Sequence, residues 1–128
     1  MKAVGPAGFG ISNRPPRPVG VLSTGQIESE ILRLSEALET GTEEYAVRIE
    51  AEANAEVKWK QCEATAMLRS DQKSEALRKA EAIQIHAEAH RDYRIAGARA
   101  SAQAEVCRTL RAQLDSLRTL AANARGLS

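Results

Sequence analysis

The two histidines of the chain, His86 and His90, stand four residues apart in a segment without Pro or Gly. On a helix this spacing puts both imidazoles on one face, where they could bind one metal ion together. The helical metalloprotease motif has a glutamate directly after its first histidine, whereas Glu88 stands midway between these two. Nothing fixes a third ligand. We therefore expect both histidines to serve packing, and the sequence predicts no metal and no other cofactor.

The two cysteines, Cys62 and Cys107, are typical of a reducing compartment, where they act as small apolar side chains on helical faces. In a helical hairpin they lie opposite different residues, so no disulfide between them is predicted. No Gly-rich loop follows a strand to bind phosphate, and no order of Ser, His and Asp indicates a catalytic triad. The sequence predicts a protein that is not an enzyme.

A basic ridge is the third candidate for chemistry. Arg111, Arg118 and Arg125 recur every seven residues, and Arg108 precedes them by one helical turn. Such a ridge would bind phosphates in a salt-dependent manner. No aromatic residue interleaves with it, so stacking on nucleic acid bases is not supported. The alternative interpretation is that these arginines pair with an acidic helix of the same or a neighbouring chain.

A long helix must position these residues, because an apolar seam with alternating steps of four and three runs through residues 82–124 for about six heptads. Ala in the middle of the seam permits close approach of a partner helix, and Leu near its end supplies apolar burial. The seam consists of Ala82, His86, Ala89, Tyr93, Ala96, Ala100, Gln103, Cys107, Leu110, Leu114, Leu117, Ala121 and Ala124.

An earlier helix is predicted from residue 24, because Ser23 and Gln26 have the spacing of a capping box. Its seam begins with Ile27, Ile31, Leu34 and Leu38, and we expect it to resume after Gly41 as Tyr45, Ile49, Ala53 and Val57, followed by Ala64, Met67 and Leu68. Gly41 costs about 1 kcal/mol against Ala inside a helix. We predict a continuous or mildly kinked helix, and a true break at Thr40-Gly41-Thr42 is the alternative.

The stretch 69–74 has turn character, so the two helices, over about 24–69 and 74–124, are predicted to fold back as antiparallel neighbours. Folding about residue 71 or 72 places Tyr45 near Ala98, Trp59 near Gln84, and Leu34 near the Leu110–Leu117 end. The charge pattern supports this pairing: residues 23–70 hold ten acids and five bases, and residues 91–128 hold seven arginines and three acids.

Residues 1–22 form a separate segment that contains all four prolines of the chain, and they are predicted to be extended. Three interpretations stay open: a disordered leader, a ligand for a proline-binding module through Arg14-Pro-Pro-Arg-Pro18, or an arm that docks on a neighbouring subunit. The docking residues would be Phe9, Ile11, Val19, Val21 and Leu22. Because the chain has no bilayer-length apolar run and no signal-peptide pattern, we expect a soluble cytoplasmic protein.

Leu114-Asp-Ser-Leu117-Arg-Thr-Leu120-Ala-Ala-Asn-Ala-Arg125 resembles the C-terminal signature of small helical proteins encoded by phages and prophages of Gram-positive bacteria. The Glu- and Ala-rich hairpin with Tyr45 and the restart at Ser74-Glu75-Ala76 match the general layout of those proteins over residues 25–125. The Pro- and Gly-rich arm is not part of that pattern. The resemblance implies a phage-encoded accessory protein in the host cytoplasm, with no catalytic residues to carry over.

Together these patterns predict an all-α protein, a long antiparallel helical hairpin with an extended arm over residues 1–22, that self-associates and binds another protein. One alternative is a nucleic-acid-binding accessory protein for phage recombination or replication, and another is a virion or assembly component laced by the arm. The predicted core of the open end and contact between copies is Ile27, Ile31, Leu34, Leu38, Leu110, Leu114 and Leu117.

Overall fold

A computed structural model of the chain describes residues 22–126, which are helical almost throughout. The elements in chain order are α1 (Thr24–Arg69), α2 (Glu75–Ile85) and α3 (Ala87–Gly126). α1 runs antiparallel to α2 and α3 and packs against both. The predicted all-α fold with a long helix packed against another is therefore confirmed.

The capping box at the start of α1 is present as predicted. The Gln26 backbone N–H donates to Ser23 Oγ at 3.1 Å, and the Ser23 N–H donates to Gln26 Oε1 at 2.8 Å. α1 then continues without a break through Gly41. Thr42 does not cap a second helix, because its hydroxyl donates to the Leu38 carbonyl at 2.8 Å within the same helix.

The second helix is divided at His86, which corrects the prediction of one helix over 74–124. His86 has φ −111° and ψ 44°, yet the chain keeps its helical hydrogen bonds from the His86 N–H to Ala82 and from the His90 N–H to His86. No Pro or Gly marks this bend in the sequence. The bend lies beside Trp59, which shares one buried cluster with Ala82 and Ala89 on either side of it.

The seam of the second half of the chain is confirmed, since all its predicted positions from Ala82 to Ala124 are buried or half-buried. In α1 the seam is confirmed at Ile27, Ile31, Leu34 and Leu38, and Tyr45 and Met67 of the predicted continuation are half-buried, but the rest of that continuation was wrong. Ile49, Ala53, Val57, Ala64 and Leu68 are exposed. The observed seam keeps the alternating steps and comprises Gly41, Tyr45, Arg48, Glu52, Ala55, Trp59, Cys62 and Ala66.

This error has a simple geometric cause. Each step of four residues turns about 40° beyond a full helical turn, so three such steps in a row carry a stripe about 120° away from the seam. Alternating steps of three and four cancel this drift. The positions that face the partner helix are therefore fixed by the heptad phase, even where they carry Arg48 and Glu52 in place of apolar residues.

The register between the helices also differs from the prediction. Trp59 packs against His90, six positions beyond the expected Gln84, and Gly41 lies against Gln103 and Cys107. The predicted register assumed that pairing is centred on the middle of the turn. The observed register follows from where the Trp59 indole packs and from the close approach of the helices at Gly41. The expected proximity of Leu34 and Leu117 is confirmed, because both line one groove.

Candidate interaction surface

The residues predicted to join copies of the chain lie mainly inside the hairpin. Ile27, Leu34 and Leu114 are only 3%, 4% and 1% exposed, while Ile31, Leu38, Leu110 and Leu117 are half-buried. Within one chain these seven side chains form the core of the open end, the end at which α1 begins and α3 stops. Their contribution to a contact between copies stays a prediction.

Nine large aliphatic side chains outside the seam are exposed, and three of them, Ile49, Val57 and Leu68, were predicted to lie in the seam. Several are more than half exposed, and Leu68 reaches 88%. A large exposed apolar side chain is informative where it belongs to a group, because single ones are common on any surface. The exposed group within the described residues is Leu32, Val47, Ile49, Val57, Leu68, Leu77, Ile83, Ile85 and Val106.

Part of this group borders an elongated depression between α1 and α3, here called the trough. Three shallow grooves form it: Arg33 lines two of them, and Glu44 joins the second to the third. Its α1 side is lined by Glu30, Arg33, Glu36, Ala37, Thr40, Glu44, Val47 and Ala51, beside the seam residues Leu34, Gly41 and Arg48. Its α3 side is lined by Asp92, Ile95, Arg99, Val106, Ala112, Gln113 and Ser116, beside the seam residues Ala96, Gln103, Leu110 and Leu117.

The trough has a heptad pattern of its own. Seven of its α1 residues, from Glu30 to Ala51, follow one another in alternating steps of three and four, and its α3 residues outside the seam, other than Ala112, occupy two positions of the heptad frame. This places a second stripe beside the buried seam on each helix. The spacing of these positions is present in the sequence, but charged residues interrupt the apolar members, and the spacing does not tell which flank of the seam stays open.

The opposite flank of the hairpin is closed by contacts between the helices. The Tyr93 hydroxyl donates to Glu56 Oε2 at 3.0 Å, and the rings of Trp59 and His90 meet edge to face with centroids 4.8 Å apart. The carboxylate of Glu52 lies over Gly97, 2.9 Å from where a Cβ would stand. The hydrogen bond to Glu56 raises the pKa of Tyr93 above its ordinary value.

Each ion pair between two described side chains is local to one helix. Arg33 pairs with Glu30, and Arg48 Nε donates to Glu44 Oε1 at 3.0 Å. The hydrogen bond from Arg33 lowers the pKa of Glu30 below its ordinary value. The expected complementarity of an acidic and a basic helix is therefore not expressed as ion pairs between described side chains of α1 and α3.

The predicted basic ridge lies on the exposed surface of α3, at Arg108, Arg111, Arg118 and Arg125. Arg108 pairs with Glu105, and Arg118 lies 3.9 Å from Asp115, both within α3. Arg108 and Arg118 therefore do not pair with the acidic helix of the same chain, and pairing of the ridge with a neighbouring chain stays a prediction. Pairing with an acid three residues away costs less side-chain entropy than pairing with an acid across the hairpin.

The histidine and cysteine positions show packing contacts. His86 forms the cap of α2, and the His90 ring contacts Trp59. Cys107 is buried beside Gly41, Cys62 is half-buried, and both thiols are free. Within residues 22–126 no group of three or more His, Cys, Asp or Glu side chains is placed to hold a metal ion.

The predicted docking residues of the arm, Phe9, Ile11, Val19 and Val21, lie outside the described residues, and Leu22, the first described residue, is half-buried. Comparisons with protein-family models, curated proteins and solved structures gave no match. In the described part of the chain no helix has both the length and the apolar character needed to cross a membrane.

Proposed function

We propose that the chain is a non-enzymatic helical interaction protein that self-associates and binds another protein through the outer faces of its hairpin. The proposal is supported by nine large aliphatic side chains that are 39% to 88% exposed on an antiparallel helical hairpin. A hairpin of two antiparallel helical arms buries only the seam between them. These side chains therefore gain burial when another helical surface covers them.

The composition of the seam supports the same proposal. Half of the buried apolar residues are alanines: Ala66, Ala82, Ala89, Ala100 and Ala121. An Ala side chain contributes one methyl group, whereas a buried Leu or Ile contributes about 1.5–3 kcal/mol. The seam of a single hairpin therefore buries less apolar surface than a seam of the same length made of Leu and Ile. Association would bury more apolar surface.

Size-exclusion chromatography with light scattering tests self-association on the full chain. We expect a mass of at least twice the 13.9 kDa of one chain, which falls toward the mass of one chain on dilution if the assembly is weak. A folded monomer at every concentration would reject the proposal. The phage-encoded accessory role implied by the resemblance of residues 114–125 is part of the proposal, and a tagged chain expressed in its own host tests it by the identity of the bound protein.

Nucleic acid binding is the second candidate, and the exposed basic ridge of α3 favours it. Arg108, Arg111 and Arg118 lie within three turns of α3 and are exposed, and Arg108 and Arg118 are exposed despite their local ion pairs. Fluorescence anisotropy with short single- and double-stranded DNA at low and moderate salt tests it. Binding that weakens with salt and is lost in an Arg111→Glu, Arg118→Glu variant would support this function, and no binding at low salt would exclude it.

A further inference from the structure

We infer that a second copy of this chain occupies the trough, so that two hairpins pack face to face as a four-helix bundle. The inference rests on the proposed function, because it names the face through which the chain self-associates. It assigns the contact to the α1 stripe from Glu30 to Ala51 and the α3 stripe from Asp92 to Ser116. The opposite flank and the basic ridge are left outside the contact.

The trough has the shape that another helical hairpin requires. The spacing of its residues gives each helix a straight stripe along the bundle axis, as in the seams that helices use to pack side by side. Small residues at Ala37 and Ala51 permit close approach, and Val47, Ile95 and Val106 supply apolar side chains. On the opposite flank, Tyr93 and Glu56 already bridge the helices.

The size of the trough matches a dimer interface. From Glu30 to Ala51 the α1 stripe is about 32 Å long at 1.5 Å per residue, and two adjacent helices present a face about 20 Å wide. Two such faces together bury about 1,300 Å², which lies within the range of stable protein interfaces.

The charges of the trough favour a copy of the same chain over a partner of one strong sign. Four acids and three arginines line it, in contrast to the excess of acids in α1 as a whole. A second copy brings the same mixture, so each face offers both signs to the other. The acids are Glu30, Glu36, Glu44 and Asp92, and the arginines are Arg33, Arg48 and Arg99.

Two valines of α1 provide a matched test. Val47 borders the trough and is 62% exposed, whereas Val57 lies outside it and is 57% exposed. We expect Val47→Glu to raise the dissociation constant of the dimer at least about tenfold, since its carboxylate would lose its hydration in the contact. Val57→Glu should leave the constant within about twofold. Sedimentation equilibrium of the full chains measures both.

Val106→Glu repeats the test from α3, where the side chain is 47% exposed, and circular dichroism confirms that each variant keeps its helix content. A dimer that survives both trough variants, or that Val57→Glu weakens equally, overturns the inference and leaves the proposed function standing. A native chain that is monomeric throughout removes the proposed function itself. Weakening by both trough variants and not by Val57→Glu supports the inference.

Discussion

The open end and the turn end of the hairpin fill the same seam by different means. At the open end Ile27 and Leu34 of α1 and Leu114 of α3 are buried. At the turn end one large side chain, Trp59, packs against Ala66, Ala82 and Ala89. Burial at the open end is shared among several aliphatic side chains, so each can be lost with partial repacking. Burial at the turn end depends on a single indole, so that end is the more vulnerable to one substitution.

The largest expected effect is therefore at Trp59. Trp59→Ala should lower the free energy of unfolding by about 3–5 kcal/mol, because the surrounding alanines cannot fill the cavity. Urea unfolding followed by circular dichroism measures this loss. Trp59→Phe, which keeps an aromatic ring in the same place, serves as the control and should retain more than half of the stability lost in the Ala variant. A loss below about 1.5 kcal/mol would show that the turn end does not depend on the indole.

At the open end Leu114→Ala should cost somewhat less, about 2–4 kcal/mol, since neighbouring Leu and Ile side chains can move toward the gap. The same unfolding experiment applies, with Thr119→Ala on the exposed surface of α3 as the control that should change little. Leu114→Asp should unfold this end of the hairpin, because Leu114 is buried within one chain. If Leu114→Ala cost more than Trp59→Ala, the comparison between the two ends would be reversed.

Gly41, between the two ends, offers a stabilising change. A Cβ there would stand 3.5 Å from Cys107 Sγ and from Gln103 Nε2, which is ordinary van der Waals contact. Gly41→Ala should therefore raise the stability by about 0.5–1 kcal/mol through higher helix propensity. Gly97→Ala provides the contrast in thermal unfolding. Its Cβ would stand 2.9 Å from Glu52 Oε2, so this variant should gain less stability than Gly41→Ala. Destabilisation by Gly41→Ala would mean that α3 cannot move far enough to accommodate the added methyl group.

The smallest effect concerns the hydrogen bond from Tyr93 to Glu56 on the closed flank. Because the folded chain raises the pKa of Tyr93, the stability that this contact adds is fully present below the ordinary tyrosine pKa of about 10 and is lost as pH rises through the higher folded value. Melting temperatures from pH 8 to pH 11 should thus converge for the native chain and Tyr93→Phe. Parallel curves would show that the contact does not stabilise the fold.

Local patterns predicted much of the fold. The capping box at Ser23, the continuity of α1 through Gly41 and the buried positions from Ala82 to Ala124 were all correct, because each depends on neighbours within one or two turns. The stripe of Ile49, Ala53 and Val57 was wrong for a related reason: apolar character alone does not keep the heptad phase. The trough was missed because its charged and small residues break the apolar pattern.

The sequence by itself determined two long helices, where α1 begins and ends, and which face of the second helix is buried, since these follow from hydrogen bonding and periodicity along the chain. Only the tertiary structure decided the bend at His86, the register that seats Trp59 beside His90, and the flank left open as the trough. Those features depend on how side-chain volumes on one helix fit those on the other, and no local pattern contains that information.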